Sequence, residues 1–318
     1  MLLRRKLRMV MALVVALAAA LVWATEGSAS AAPDEKGRSS PDRQLLFFNH
    51  AYGVLDRETA DAVEHSDYLR TFANFQVRTT TGADGQTWTG RYLMGRETYV
   101  ELFGVGDLPG KDGLFGATGA AVSVEQAGDL ATVRQRVRDQ GITPADFLQT
   151  RDFGDGVPVP WFDASFVIEA DQYDSFGAWA MEYRPEYFAD PRGRTEPASH
   201  PGDVGRERYL NDEYRDHRMR DVTSLRLGVT RRDATSTVPL LRAGGFDVRT
   251  LADGGVVARR GGTTVRLEAS TREEAGLREI GFSLNKAVKH RHTERIGRST
   301  LTVGAGAGAV WRFDGPGK

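Results

Sequence analysis

The sequence predicts an α+β fold in which tandem β-α-β-β-β modules pair into half-open barrels and form two domains. Two observations predict it. Runs typical of strands and helices recur in the same order along the chain. Three strand-like runs each carry one glutamate, at nearly equal spacing: Glu101, Glu182 and Glu268. The chain contains no cysteine, so packing rather than disulfide bonds has to stabilise this fold.

The N-terminus has the features of a targeting segment, and residues 1–31 are predicted to be a signal peptide. Basic residues precede an uncharged apolar run, Met9–Ala24, and the small residues Ala29–Ala31 form a cleavage site. We therefore expect a secreted protein with no stable membrane span after cleavage. The alternative is a membrane anchor, although the apolar run is short for a span of roughly 20 residues. Residues 32–43 are polar and charged and predict a disordered leader.

The charge balance argues against a nucleic-acid partner. The chain has 42 basic and 43 acidic residues, and the predicted signal peptide is itself basic, so its removal leaves a more acidic protein. Binding to a phosphate backbone needs a concentrated positive face, which such a balance does not favour.

The first predicted domain spans residues 44–189 and contains two modules, 44–104 and 113–189. In the first module an apolar strand precedes a helix capped by Asp56, and three short strands follow, separated by good turn sequences. In the second module a strand of small residues is followed by an amphipathic helix that ends at Gly141, and then by three strand-like runs.

The second predicted domain spans residues 222–318, after a linker, 190–221, that carries a charged helical segment with Tyr209 among its inward-facing residues. Its first module repeats the order of elements, with Asp233 predicted to cap the helix. The last module looks abbreviated and has no clear helix. Because the opening strand of this domain carries no metal-ligating residue, we expect it to keep the fold without a site.

The first module also resembles a known family. A histidine lies on its first strand, in Phe48–His50, and a glutamate on its fourth, in Tyr99–Phe103, with the run Trp88–Tyr92 between them. This pattern resembles the vicinal oxygen chelate superfamily, which includes glyoxalase I, bleomycin-binding proteins and extradiol dioxygenases, and within it an exported bacterial branch of unestablished function. The resemblance implies that paired modules form a half-open barrel whose metal ligands come from the first and fourth strands.

The resemblance implies His50, Glu101 and Glu182 as metal ligands. The fourth expected position lies near Gly119, where the chain offers only glycine and alanine. A His-Glu-Glu set with open positions could hold one divalent ion: Mn, Mg, Fe or Zn. Such an ion would act as a Lewis acid on two substrate oxygens. The alternatives are a core histidine and glutamates paired with arginines, such as Arg184 beside Glu182.

Aromatic side chains are abundant on the predicted barrel strands. Those that could line a ligand pocket, or equally form the core, are Trp88, Tyr92, Trp161, Trp179 and Tyr183. The predicted function is binding of a small oxygen-rich molecule, with a metal-dependent lyase, isomerase or dioxygenase-like activity as one interpretation. A non-catalytic protein that sequesters its ligand, and a structural cell-surface module with a vestigial site, are the alternatives, because one fold hosts many functions.

Overall fold

The computed structural model describes residues 43–81, 85–168 and 172–315, and these ranges contain sixteen strands and six α-helices. The predicted signal peptide, and all of the predicted leader except its last residue, lie outside the described residues. No helix within the described ranges is long and apolar enough to cross a membrane.

Eight strands from the first half of the chain form one sheet. They are β1 (Phe47–Leu55), β2 (Asn74–Thr81), β3 (Thr87–Met94), β4 (Tyr99–Gly104), β5 (Thr118–Ser123), β6 (Ala145–Arg151), β7 (Val159–Phe166) and β8 (Phe176–Tyr183). Their order across the sheet is β2-β3-β4-β1-β5-β8-β7-β6. Each four-stranded unit pairs its first and fourth strands in parallel, and the two units join where β1 and β5 pair antiparallel.

The second half of the chain repeats this arrangement. Its strands are β9 (Met219–Val229), β10 (Asp247–Thr250), β11 (Val256–Arg260), β12 (Thr263–Ala269), β13 (Gly276–Val288), β14 (His292–Ile296), β15 (Ser299–Val303) and β16 (Gly306–Phe313). Their order is β10-β11-β12-β9-β13-β16-β15-β14. The matching orders confirm the predicted α+β fold of paired modules. The last module has no helix among its described residues, and its four strands are β13 to β16.

Four of the helices connect strands within the modules, and two lie in the segment between the sheets. They are α1 (Arg57–Glu64), α2 (Asp67–Phe72), α3 (Asp129–Arg138), α4 (Pro185–Ala189), α5 (Arg206–Leu210) and α6 (Arg231–Ala243). The single helix expected after β1 is divided in two. Asp56 caps α1 as predicted, and Ser66 caps α2, each accepting a hydrogen bond from a backbone N–H of the first turn.

The first sheet curls until its two edge strands approach each other. At one end of β2 and β6, Thr81 and Asp152 form an isolated antiparallel bridge. Strand alternation fills the enclosed space with side chains from every second position. Much of this interior is aromatic, and rings of β1, β4 and β8 contact one another there.

A buried carboxylate on α6 links the second half of the molecule to the first sheet. The N-cap of α6 is Thr230 rather than the predicted Asp233. The Asp233 side chain instead accepts hydrogen bonds from the backbone N–H groups of Asp174, Ser175 and Phe176 at 2.8, 2.8 and 3.0 Å. It is fully buried. Three N–H donors satisfy this charge, and they hold the start of β8 against α6.

Replacing Asp233 by alanine should lower the free energy of unfolding by about 2–4 kcal/mol, because three N–H groups lose a charged acceptor. Denaturation in urea measures the change. The exposed carboxylate of Asp247 on β10 provides the matched control, and Asp247→Ala should lower the free energy of unfolding by less than about 0.5 kcal/mol. Equal losses in the two variants would contradict the anchoring role.

Candidate functional site

The candidate site begins at a β-bulge in β1. Between Phe48 and His50 the pairing with β5 shifts by one residue, so Asn49 has no partner opposite it. Bulges redirect side chains. Here Nδ2 of Asn49 donates to Oγ of Ser123 at 2.9 Å and to the hydroxyl of Tyr183 at 3.3 Å. Its Oδ1 lies 2.8 Å from Nδ1 of His50, so a neutral imidazole carries its proton on Nδ1 and leaves Nε2 as an acceptor.

Glu101 lies beside this histidine inside the barrel. Alternation along β4 turns it inward together with Tyr99 and Phe103, and its Oε1 is 3.9 Å from Nε2 of His50. The two residues are 8% and 5% exposed. Burial raises the pKa of Glu101 to about 8, against the charge of Arg78 and a hydrogen bond with Tyr99. Burial also lowers the pKa of His50 to about 3. At neutral pH a neutral imidazole therefore faces a protonated carboxyl group.

The five aromatic residues proposed for a pocket all belong to the first sheet. Trp88 and Tyr92 are buried on β3, and Trp179 and Tyr183 are buried on β8. The ring of Trp179 meets that of the candidate histidine at 5.4 Å. Trp161 is the extra residue of a bulge in β7, which lets it pack among the interior rings. Their role as ligand contacts stays a prediction.

A tyrosine from outside the sheet completes this aromatic cluster. Tyr209 lies on α5, and its ring stacks on that of Tyr183 with 4.3 Å between centroids. It also lies 6.3 Å from the ring of Tyr99 and 5.8 Å from that of Tyr187. Its burial was predicted, but its contact with the barrel was not. Sequence patterns do not predict which strands a linker contacts when those strands are distant along the chain.

Glu182 does not join His50 and the first glutamate. Alternation along β8 turns it to the outer face of the sheet, where its carboxylate accepts from the N–H groups of Gly128 at 2.9 Å and Leu130 at 3.2 Å. It satisfies free N–H groups at the start of α3. This corrects the expected His-Glu-Glu set. The glutamate is the fourth residue of Trp179–Tyr183 but the third of Tyr99–Phe103, and one position reverses the face.

The described residues do not fit the expected metal site. Within residues 43–81, 85–168 and 172–315, no group of three or more His, Cys, Asp or Glu side chains could hold an ion. His50 and Glu101 supply two donors only. The position of the fourth expected ligand is filled by rings, because a Cβ at Gly119 would lie 2.3 Å from Tyr52 and 2.9 Å from Trp179.

A cleft of about 180 Å³ lies next to Tyr209, on the side where β2 and β6 approach each other. Arg78 of β2 and Arg151 of β6 line it, together with the rings of Phe153 and Tyr187. The segment between the two sheets supplies further charged and polar lining residues: Arg192, Arg194, Asn211 and Glu213. No sequence motif indicated this cleft, since its parts come from three separate stretches of the chain.

Fold and site together define a protein of two consecutive eight-stranded sheets, the first of which curls into a half-barrel and encloses a neutral His–Glu pair. The chain belongs to a family of unknown function, DUF5829, whose model matches residues 48–313. A search of curated proteins finds no match.

Several solved structures are similar in overall architecture. A hypothetical protein from Staphylococcus aureus is 9% identical with a TM-score of 0.48, over 79% of this chain and 96% of that one. The Mn(II)-bound glyoxalase from Novosphingobium aromaticivorans is 9% identical with a TM-score of 0.38, over 83% and 81%. The 2,3-dioxygenase LapB from Pseudomonas sp. KL28 is 10% identical with a TM-score of 0.43, over 84% and 91%. These likenesses assign no activity to this chain.

The stability of the protein should fall as the pH rises from 6.5 to 8, because of Glu101. Folding raises the pKa of Glu101 from 4.5 to about 8, so its contribution is complete below pH 4.5 and is lost as the pH approaches 8. The lowered pKa of His50 acts in the opposite direction, but only up to its ordinary value of 6.5. Between pH 6.5 and 8 the free energy of unfolding should drop by about 2 kcal/mol.

Glu101→Gln should lack this drop, because an amide cannot ionise. Glu268→Gln is the matched control, since Glu268 lies on β12 of the second sheet and pairs with Arg226 and Arg266. Denaturation at several pH values measures both variants. A wild-type profile parallel to that of Glu101→Gln would mean that the buried carboxyl group does not titrate in this range.

Proposed function

We propose that this protein binds a small oxygen-rich molecule in the cleft beside Tyr209, as a ligand-binding protein of vicinal-oxygen-chelate type. One observation carries the proposal. The indole N–H of Trp161 is buried without an acceptor among the described residues, and its ring packs against those of Tyr187 and Tyr209, which line the cleft. An unpaired buried donor costs about 1–3 kcal/mol. A ligand oxygen that accepts from this indole removes that cost.

The layering of rings favours binding without catalysis. Tyr209 lines the cleft, the ring of Tyr99 lies behind it at 6.3 Å, and the imidazole of His50 stacks on Tyr99 at 4.3 Å. A molecule in the cleft is therefore separated from the imidazole of His50 by two aromatic layers. This arrangement supports a protein that holds its ligand rather than one that transforms it.

A library of polyols, phenols and carboxylic acids, followed by thermal unfolding and tryptophan fluorescence, tests the proposal. A ligand that raises the unfolding temperature should bind Trp161→Phe about five-fold more weakly, since one hydrogen bond worth about 1 kcal/mol is lost. Trp311→Phe is the control and should leave the Kd unchanged, because that indole donates to Ser299 in the second sheet. No ligand in the library, or equal affinity in wild type and Trp161→Phe, would contradict the proposal.

A metal-dependent lyase, isomerase or dioxygenase-like enzyme is the second candidate. It is favoured by the 3.9 Å approach of His50 to Glu101, which places two good ligand groups together. It requires at least one further ligand beyond the groups that the described residues bring together.

Elemental analysis separates the two candidates. The ligand-binding proposal predicts that wild-type protein, purified without chelator, holds less than a stoichiometric amount of Mn, Mg, Fe or Zn. It also predicts an unfolding temperature that chelator does not change. Glu182→Gln and His50→Ala should then have the same metal content as wild type. Stoichiometric metal that is retained in Glu182→Gln and lost in His50→Ala would establish the metal-dependent candidate instead.

A further inference from the structure

We propose that the ligand carries an anionic group, a carboxylate or a phosphate, which Arg78 and Arg151 bind together. This inference rests on the proposed function and names the class of molecule that the same cleft takes.

The two arginines line one cleft at the seam of the first barrel. Arg78 is on β2 and Arg151 is on β6, which are the edge strands of the sheet. The bridge between Thr81 and Asp152 brings the ends of these strands together. Both arginines line the cleft. Burial raises the pKa of Tyr209, and the charges of Arg151 and Arg78 oppose that rise, so both guanidinium groups lie near this tyrosine.

Neutral groups are the partners of both guanidinium groups. Nε of Arg78 donates to Oε1 of Gln76 at 2.5 Å. Nη1 of Arg151 donates to the hydroxyl of Tyr187 at 2.7 Å, and its guanidinium lies 4.5 Å from the ring centre of Phe153. In the part of the chain that the structure describes, neither arginine has a carboxylate within ion-pair distance. Both side chains are half-buried, where an uncompensated charge is costly.

The other charges of the cleft are already neutralised. Arg192 forms ion pairs with Asp155 and Asp190. Arg194 pairs with Glu213 at 2.8 Å. The unbalanced positive charge of the cleft therefore belongs to Arg78 and Arg151.

The chemistry of these groups selects the ligand. A guanidinium presents a planar fork of N–H donors that matches the oxygens of a carboxylate or a phosphate. Two such forks on opposite strands can share one anion, and the neighbouring rings of Phe153, Tyr187 and Tyr209 provide flat walls for the rest of the molecule. The guanidinium of Arg151 also lies 5.4 Å from the ring of Trp161, whose indole N–H lacks an acceptor among the described residues.

Calorimetric titration with benzoate, benzamide and inorganic phosphate tests the inference. Benzoate and benzamide have nearly the same shape and differ in charge. We expect benzoate or phosphate to bind the wild type at least ten-fold more tightly than benzamide does. Arg78→Gln and Arg151→Gln should each raise the Kd of that anion at least ten-fold. Arg226→Gln, on β9 of the second sheet, half-buried and paired with Glu268, is the matched control and should remain within two-fold of wild type.

The outcomes are distinct. Tight binding of benzoate alone identifies a carboxylate ligand, and tight binding of phosphate alone identifies a phosphate ligand. Benzamide binding as tightly as benzoate, or an equal loss of affinity in Arg226→Gln, would overturn the inference and leave the proposed function standing. No binding of these three compounds overturns the inference, and overturns the proposed function as well only if the library also yields no ligand. If a glutamine variant unfolds, Arg78→Lys and Arg151→Lys retain the charge and should keep part of the affinity.

Discussion

The buried guanidinium of Arg206 ties the segment between the two sheets to the first barrel. It is 4% exposed and donates to the backbone carbonyl of Phe48 at 2.6 Å. It also donates to the carboxylates of Glu125 at 2.5 Å and Glu97 at 3.3 Å. Paired in this way, the charge is stable in the interior. Phe48 begins the bulge of β1, and Tyr209 follows Arg206 by one turn of α5, so one side chain positions both the bulge and the tyrosine that covers the barrel.

This connection continues inward and determines the chemistry of the core. Tyr209 stacks on Tyr183, Tyr183 accepts a hydrogen bond from Asn49, and Asn49 accepts one from His50. Each contact excludes water from the next. Within that dry interior both His50 and Glu101 favour their neutral forms, since burial disfavours charge on either group. Outside the ring of Tyr209 lie the two cleft arginines. The tyrosine thus separates a neutral compartment from a cationic one.

Sequence periodicity predicts much of this molecule but not the details that define its site. The order of strands and the cap at Asp56 follow from patterns within one module, and the family resemblance of the first module implied that His50 meets Glu101. Glu182 was placed on the wrong face because a one-residue difference in strand position is decisive when side chains alternate. The bulge at Asn49 cannot be recognised in the sequence of an apolar strand. The cleft arginines come together only when the sheet curls and its edges meet.

The two sheets share one topology, but their side chains contribute differently to the molecule. The second sheet has Leu225 and Leu227 on its opening strand, with no counterpart of the buried histidine. The second half of the chain contributes two carboxylates that accept hydrogen bonds from the first sheet and from the residues just before β4. Asp233 binds the N–H groups at the start of β8, and Asp221 binds those of Glu97 and Thr98 just before β4. These two strands carry the glutamate and the rings of the core. Each strand is therefore held at or just before its first residue by a carboxylate from the second half of the chain.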